Sequence, residues 1–204
     1  MSENGHEIEA KFYLQHLDRM IARLQDVGAH LSEPRVLETN LRFDLPDGSL
    51  RAGQRVLRLR HDTTSKLTYK GKGTNREGVW NREEIEFGVE DFDKARQFLE
   101  ALGYRKTMLY EKYRTTYEID GASIMLDELP YGDFVEIEGH SGEQIQTLAK
   151  KLEIDWNTAI DRSYTALFEH LKGTRGLPFE DLSFKNFESI KVTPEELNVR
   201  PADG

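Results

Sequence analysis

The segment His6-Glu7-Ile8-Glu9-Ala10-Lys11-Phe12 sets two carboxylates and an ammonium at every second position, with Ile8, Ala10 and Phe12 between them. A β-strand has a side-chain period of two, so the three charges would share one face and the apolar residues the other. Side by side, such groups can hold a divalent metal and a phosphate together, because carboxylates are hard oxygen donors for Mg²⁺ or Mn²⁺ and cations take phosphate oxygens.

The same alternation returns along the chain. Arg58 and Arg60 oppose Leu57 and Leu59, while Lys66, Thr68 and Lys70 oppose Leu67 and Tyr69. Arg82, Glu84 and Glu86 oppose Ile85 and Phe87, and Glu136 and Glu138 oppose Val135 and Ile137. Lys112 shares a face with Arg114, and Met125 with Asp127. One strand of this kind reads as a solvated face with cross-strand ion pairs. Six in register imply an interior that carries both a basic and an acidic set. Buried ions cost several kcal/mol each unless they pair, stay wet or bind something charged. A polyphosphate with its metal meets the last condition.

The elements that must position these residues follow from periodicity and turn chemistry. Residues 6–13 read as a strand and 17–27 as a helix stopped by Gly28. Strands are expected at 35–44, 54–61 and 66–72, with short polar turns between them. A second set follows: a strand at 82–89, a helix at 91–102 ended by Gly103, and strands at 106–119, 122–128 and 133–138. Each half runs strand, helix, three strands, and Glu83-Glu84-Ile85-Glu86-Phe87 echoes the opening heptad. The expected fold is therefore α+β: a closed eight-stranded antiparallel β-barrel, or tunnel, built from two such repeats with helices packed outside, where the apolar positions would be covered. Helical stripes follow Gly139, one through Ile145, Leu148, Ala149 and Leu152 and one through Tyr164, Leu167, Phe168 and Leu171. Residues 1–172 form the expected tunnel domain with its C-terminal helices. Residues 173–204, rich in Gly, Pro and charge, form a tail that is partly ordered or folded back, with a short helix near Pro194–Leu197.

Composition bounds the function classes. The chain has 204 residues, 37% hydrophobic, with a formal net charge of −9, which argues against a nucleic-acid surface. The absence of cysteine removes thiol chemistry and disulfides. No apolar run is long enough to span a bilayer and no signal-peptide core is visible, so a cytoplasmic protein without membrane partners is expected. Lys70-Gly71-Lys72-Gly73-Thr74 lacks the spacing of a phosphate loop. The six histidines form no ligand pair, and Trp80 and Trp156 read as packing residues.

Taken in order, His6-Glu-Ile-Glu-Ala-Lys11, Leu-Arg-Leu-Arg60, Leu-Thr-Tyr-Lys-Gly71, Glu-Lys-Tyr-Arg114 and Leu-Asp-Glu-Leu-Pro-Tyr-Gly-Asp-Phe-Val-Glu-Ile-Glu-Gly139 resemble the CYTH superfamily of triphosphate tunnel metalloenzymes over about residues 6–170. The resemblance implies Mg²⁺ or Mn²⁺ as cofactor and a triphosphate as substrate: ATP, inorganic triphosphate or thiamine triphosphate. It implies metal-site roles for Glu7, Glu9, Asp127, Glu136 and Glu138, with Glu7, Glu9, Lys11 and Asp127 catalytic. Lys11, Arg58, Arg60, Lys70, Arg82, Lys112 and Arg114 would grip the triphosphate, and Glu84 and Glu86 would line the tunnel. Lys66 and Lys72 would reach the phosphate or lie at the rim. Asp161-Arg162-Ser163-Tyr164-Thr165-Ala166-Leu167 is similar to the C-terminal helix of class IV adenylyl cyclases, although its apolar spacing also fits ordinary packing. The first reading is thus a class IV adenylyl cyclase forming cyclic AMP and pyrophosphate. A triphosphatase is the alternative and a non-catalytic polyphosphate-binding module the third. A homodimer is compatible with the resemblance.

Overall fold

The computed structural model describes residues 5–204. The chain runs β1 (His6–Leu14), α1 (Leu17–Asp26), β2 (His30–Asp44), α2 (Ser49–Ala52), β3 (Val56–His61), β4 (Ser65–Lys70), β5 (Thr74–Arg76), β6 (Val79–Val89), α3 (Phe92–Ala101), β7 (Arg105–Ile119), β8 (Ala122–Leu129) and β9 (Gly132–Glu138). Then come α4 (Gly142–Lys151), a 3-10 turn at Trp156–Thr158, α5 (Tyr164–Arg175) and α6 (Phe184–Phe187). The strands pair antiparallel in the order β1-β9-β8-β7-β2-β3-β4-β6, and β6 pairs back onto β1, which closes an eight-stranded barrel. The ninth strand, β5, is an outlying hairpin partner of β6.

Parity sorts the two faces as the alternation requires. Ala10, Phe12 and Leu14 of β1 point outward and pack with Ile124, Leu126, Val135 and Ile137 under α1 and α4. Leu57 and Leu59 pack with Leu41, Phe43 and Leu99 under α3. The helices are capped by their own sequence: Asp91, Ser141 and Ser163 accept backbone N–H bonds at the starts of α3, α4 and α5. Gly132, at φ +147°, lies where an added Cβ would stand 2.7 Å from the Tyr13 ring, so the tight β8–β9 link needs glycine.

Several expectations are corrected. The strand expected from residue 35 begins at His30, and register shifts flank Pro34. The exposed first half of that strand lacks the apolar alternation that betrays a strand. Residues 74–76, which lie between the strands expected at 66–72 and 82–89, form β5. The Glu77-Gly78 turn that follows has φ of +53° and +87°, the hand that suits a two-residue hairpin. Ile85 and Phe87 are not covered by a helix and are 53% and 54% exposed, because α3 lies over β2 and β3 instead. The segment at Pro194–Leu197 makes successive turns rather than a helix.

The C-terminal segment folds back on one end of the barrel. Leu182 bridges to Tyr110 and Pro201 to Tyr13. Leu182, Phe187 and Leu197 are buried with Phe134, Tyr131 and the Leu167, Phe168 and Leu171 face of α5. Asp203 is 1% exposed and accepts the Gln15 and His16 N–H groups at 2.8 and 2.7 Å, where β1 turns into α1. The barrel interior is therefore apolar at the α5 end and charged along the rest of its length.

Candidate active site

A cavity of about 730 Å³ fills the charged part of the barrel, within the usual range for small-molecule sites. Thirteen of the fourteen residues assigned by resemblance line it. β1 supplies Glu7, Glu9 and Lys11; β3 and β4 supply Arg58, Arg60 and Lys70. β6 supplies Arg82, Glu84 and Glu86, and β7 and β9 supply Lys112, Arg114, Glu136 and Glu138. Lys66 also lines the cavity, whereas Lys72 is exposed and does not.

Asp127 is the exception. It is fully buried beside the cavity wall, and both oxygens are engaged. Lys112 Nζ lies 2.9 Å from Oδ2, Arg114 donates from Nε and Nη2 at 2.6 Å, and the Tyr164 hydroxyl donates at 2.8 Å. As placed, it holds two cations and a phenol in position.

The other carboxylates divide into paired and unpaired groups. Glu7 accepts Lys70 Nζ at 2.6 and 2.7 Å and Arg82 Nε at 2.9 Å. Burial would raise the Glu7 carboxyl, but the Lys70 and Arg82 cations hold it well below the usual range. Glu136 lies 3.1 Å from Lys11 and 2.5 Å from Arg114; against its burial, the Lys11 and Arg114 cations hold it low. Glu9 is different. Among the described residues its one ion-pair partner is Arg82 Nη2 at 3.1 Å, and burial together with Glu7 and Glu136 raises its carboxyl. Glu138 sits directly opposite Glu9 across the β1–β9 ladder, has no ion pair among the described residues, and is pushed up to about 7 by burial and by Glu7 and Glu9.

This pair tests the fit of a divalent ion. Among the described residues, no three His, Cys, Asp or Glu side chains are already gathered around one point. Glu9 and Glu138 nevertheless offer hard oxygen donors whose mutual repulsion a divalent cation would remove. The donor set fits a hard divalent cation, and the Glu7 carboxylate also acts on Glu138.

Sequence reasoning missed part of the lining. Glu38 and Arg42 project inward from β2, and Tyr110 from β7. Glu38 is buried and lies 3.5 Å from both Lys112 and Arg60; burial raises it, but Lys112, Arg114 and Arg60 bring its carboxyl to about 2. The signal was present: Glu38-Thr-Asn40-Leu-Arg42 alternates as the other tunnel strands do. Tyr164 and its neighbours Ser163 and Thr165 also line the cavity, with the Lys11 ammonium 4.0 Å above the Tyr164 ring.

Comparison with known proteins agrees with this architecture. "Putative adenylate cyclase MJ0240" of Methanocaldococcus jannaschii is 26% identical over 172 residues, covering 79% of this chain and 97% of that protein. A Vibrio parahaemolyticus structure bearing the same kind of name superposes with a TM-score of 0.72 at 20% identity, covering 80% of this chain and 97% of its own. The Hippeastrum protein HpAC1, an adenylyl cyclase candidate with a dominant triphosphatase activity, matches at TM-score 0.57 and 22% identity over 95% of this chain and 100% of its own. No helix among the described residues is long and apolar enough to cross a membrane. CYTH enzymes bind triphosphates and use divalent metals in general. The CYTH domain model matches residues 5–164, the whole barrel and the chain as far as the first residue of α5, so the chain belongs to the CYTH domain family.

Proposed function

We propose that this chain is a divalent-metal-dependent triphosphatase that binds a linear triphosphate along the tunnel and hydrolyses it. One observation carries the reading: the cavity wall is built from carboxylates, cations and Ser and Thr hydroxyls, with Val56, Met125 and the two phenols Tyr110 and Tyr164 as the apolar or aromatic side chains among its described residues. That lining recognises a phosphate chain by charge and supplies little surface against which a nucleobase could stack. Glu9 and Glu138 would hold the metal, which when bound neutralises phosphate charge and lowers the pKa of a coordinated water. Lys11, Arg58, Arg60, Lys112 and Arg114 would bind and orient the phosphoryl oxygens. Glu7 fixes Lys70 and Arg82 through bonds of 2.6 to 2.9 Å, and Asp127 fixes Lys112 and Arg114. The preformed cations then need little reorganisation as charge develops on the leaving phosphate.

A class IV adenylyl cyclase is the second reading, supported by the name of the M. jannaschii relative and by Tyr164 and its neighbours at the tunnel wall. The test is product analysis in Mg²⁺ and in Mn²⁺ with inorganic triphosphate and with ATP. Orthophosphate and pyrophosphate from triphosphate are expected. Cyclic AMP and pyrophosphate from ATP, without turnover of inorganic triphosphate, would replace the first reading by the second. Tight binding of both without turnover would leave a polyphosphate-binding module.

A further inference from the structure

Six buried side-chain nitrogen or oxygen atoms make no hydrogen bond among the described residues, and five of them lie on the inward faces of β2 and β3: Glu38 Oε2, both amide atoms of Asn40, Arg58 Nε and Arg60 Nε. An unmet buried polar atom carries its full desolvation penalty, so native interiors hold few of them, and a group on two paired strands calls for a common partner. The ladders place the group around Asn40, which is fully buried and stands opposite Arg60 on β3 and Tyr110 on β7. Arg58 Nη1 reaches the Tyr110 hydroxyl at 3.3 Å, so this side chain crosses β2 between Asn40 and its own ladder partner Arg42. On the other side of Asn40, Arg60 Nη1 reaches Glu38 Oε1 at 3.5 Å. The two guanidinium groups thus roof the Asn40 amide; both line the cavity, whereas Asn40 does not.

The direct contacts that hold this roof are long. Arg60 meets Glu38 and Glu86 at 3.5 Å and Asp62 at 3.3 Å. Arg58 meets the Tyr110 and Thr68 hydroxyls at 3.3 Å and Glu86 at 3.5 Å. A well-formed charge-assisted bond spans about 2.7–2.9 Å. The chemistry of the unmet atoms then selects their partner. Asn40 Nδ2 and the two Nε groups donate, while Asn40 Oδ1 and Glu38 Oε2 accept. A halide accepts only and would leave both oxygens unmet. A metal or ammonium ion offers no lone pair to the three N–H groups. Water donates and accepts, and a linked pair of waters has enough lone pairs and O–H groups for all five atoms.

We propose that Asn40, Glu38 and the Nε edges of Arg58 and Arg60 enclose a buried water, or a linked pair of waters, behind the tunnel wall, and that Asn40 acts through it as a positioning residue. The water fixes the direction in which the two guanidinium groups face the cavity, as their long direct contacts do not. The water site stands on the unmet atoms alone; its effect on turnover rests on the triphosphate reading and deepens it.

The test uses the ligand-free wild type, Asn40→Leu, which removes both amide atoms at nearly constant volume, and Asn40→Ser, which keeps a hydroxyl that donates and accepts and leaves room for a further water. In the wild type the Arg58 and Arg60 Nε–H groups should give nitrogen-15 NMR signals with a nuclear Overhauser effect to water. A bromide-soaked crystal should show water rather than bromide within about 3.2 Å of the Asn40 amide. Asn40→Leu should melt lower than the wild type, because expelling the water strands the Arg58, Arg60 and Glu38 atoms; with a dry amide the same change removes an unmet polar group and lowers nothing. The Nε–H signals should shift or broaden in Asn40→Leu and return in Asn40→Ser. In Mg²⁺, kcat for inorganic triphosphate should fall about 3- to 10-fold in Asn40→Leu, the worth of one hydrogen bond, and stay within about threefold in Asn40→Ser. Bromide at Asn40, no ordered solvent there, or an Asn40→Leu protein that melts no lower overturns the water site. An Asn40→Leu protein that melts lower while its arginine signals and kcat match the wild type overturns the positioning role. A wild type that turns over no triphosphate overturns the triphosphate reading instead, and the solvent and arginine signals still decide the site.

Discussion

Replacing Asp127 by Asn separates a supporting carboxylate from a metal ligand. Asp127 is fully buried and accepts from Lys112 Nζ, Arg114 Nε and Nη2 and the Tyr164 hydroxyl, at 2.6 to 2.9 Å. Removing one partner of a buried ion pair costs about 3–5 kcal/mol, mainly because the other charge is stranded. Two cations would be stranded here, but not wholly. Arg114 keeps Glu136, and Lys112 keeps Glu38 at 3.5 Å. The loss should therefore fall near the lower end, about 3 kcal/mol. For a chain of this size that is a drop of roughly 6–12 °C in melting temperature. The assay is thermal unfolding of the metal-free protein, paired with Mn²⁺ titration. Asp127→Asn should unfold earlier, while Glu138→Gln, which loses no ion pair, should unfold no earlier yet bind Mn²⁺ at least about tenfold more weakly. An Asp127→Asn protein with unchanged metal-free stability and lost Mn²⁺ binding would refute the reasoning and make Asp127 a direct ligand.

Other outcomes follow from single side chains. Burial, then the neighbouring Glu128 carboxylate with Asp18 and Asp203, pushes the half-buried Asp133 carboxyl up to about 6. The folded chain therefore holds a proton that the unfolded chain has released between about pH 4 and 6, and stability falls as pH rises through that window. Asp133→Asn should match the wild type near pH 4 and exceed it by about 1 kcal/mol above pH 7, after discounting for solvent, in paired urea titrations; an equal gain at both pH values would exclude the titration. Asp203→Ala removes two N–H···carboxylate bonds at the start of α1, so it should cost about 3 kcal/mol. Amide exchange should then quicken at Gln15 and His16, and unaltered exchange there would show that the C-terminal clasp holds nothing.

The barrel was legible because its faces obey a period of two on nearly every strand. Leu57, Arg58, Leu59 and Arg60 each land on the expected side. The α5 plug was harder to see. Tyr164, Leu167, Phe168 and Leu171 are at ordinary helical spacing, and nothing local shows that the first of them turns its hydroxyl to Asp127 inside the barrel. The fate of the acidic groups was hidden for a related reason. Glu7, Glu9 and Glu138 are the same residue type on equivalent strand faces, yet Glu7 meets Lys70 and Arg82 while Glu138 meets Glu9. That difference arises from cross-strand register, which no single strand encodes. The uncovered Ile85 and Phe87 were misjudged likewise, since apolar alternation marks a face without saying which helix covers it.

The most direct measurement is orthophosphate release from inorganic triphosphate, followed by phosphorus NMR, for the wild type in Mg²⁺, the wild type in EDTA, and Glu9→Gln in Mg²⁺. The account predicts conversion to pyrophosphate and orthophosphate in the first sample alone. Turnover that survives EDTA, or a Glu9→Gln protein as active as the wild type, would contradict a metal held at the Glu9 and Glu138 end of the tunnel.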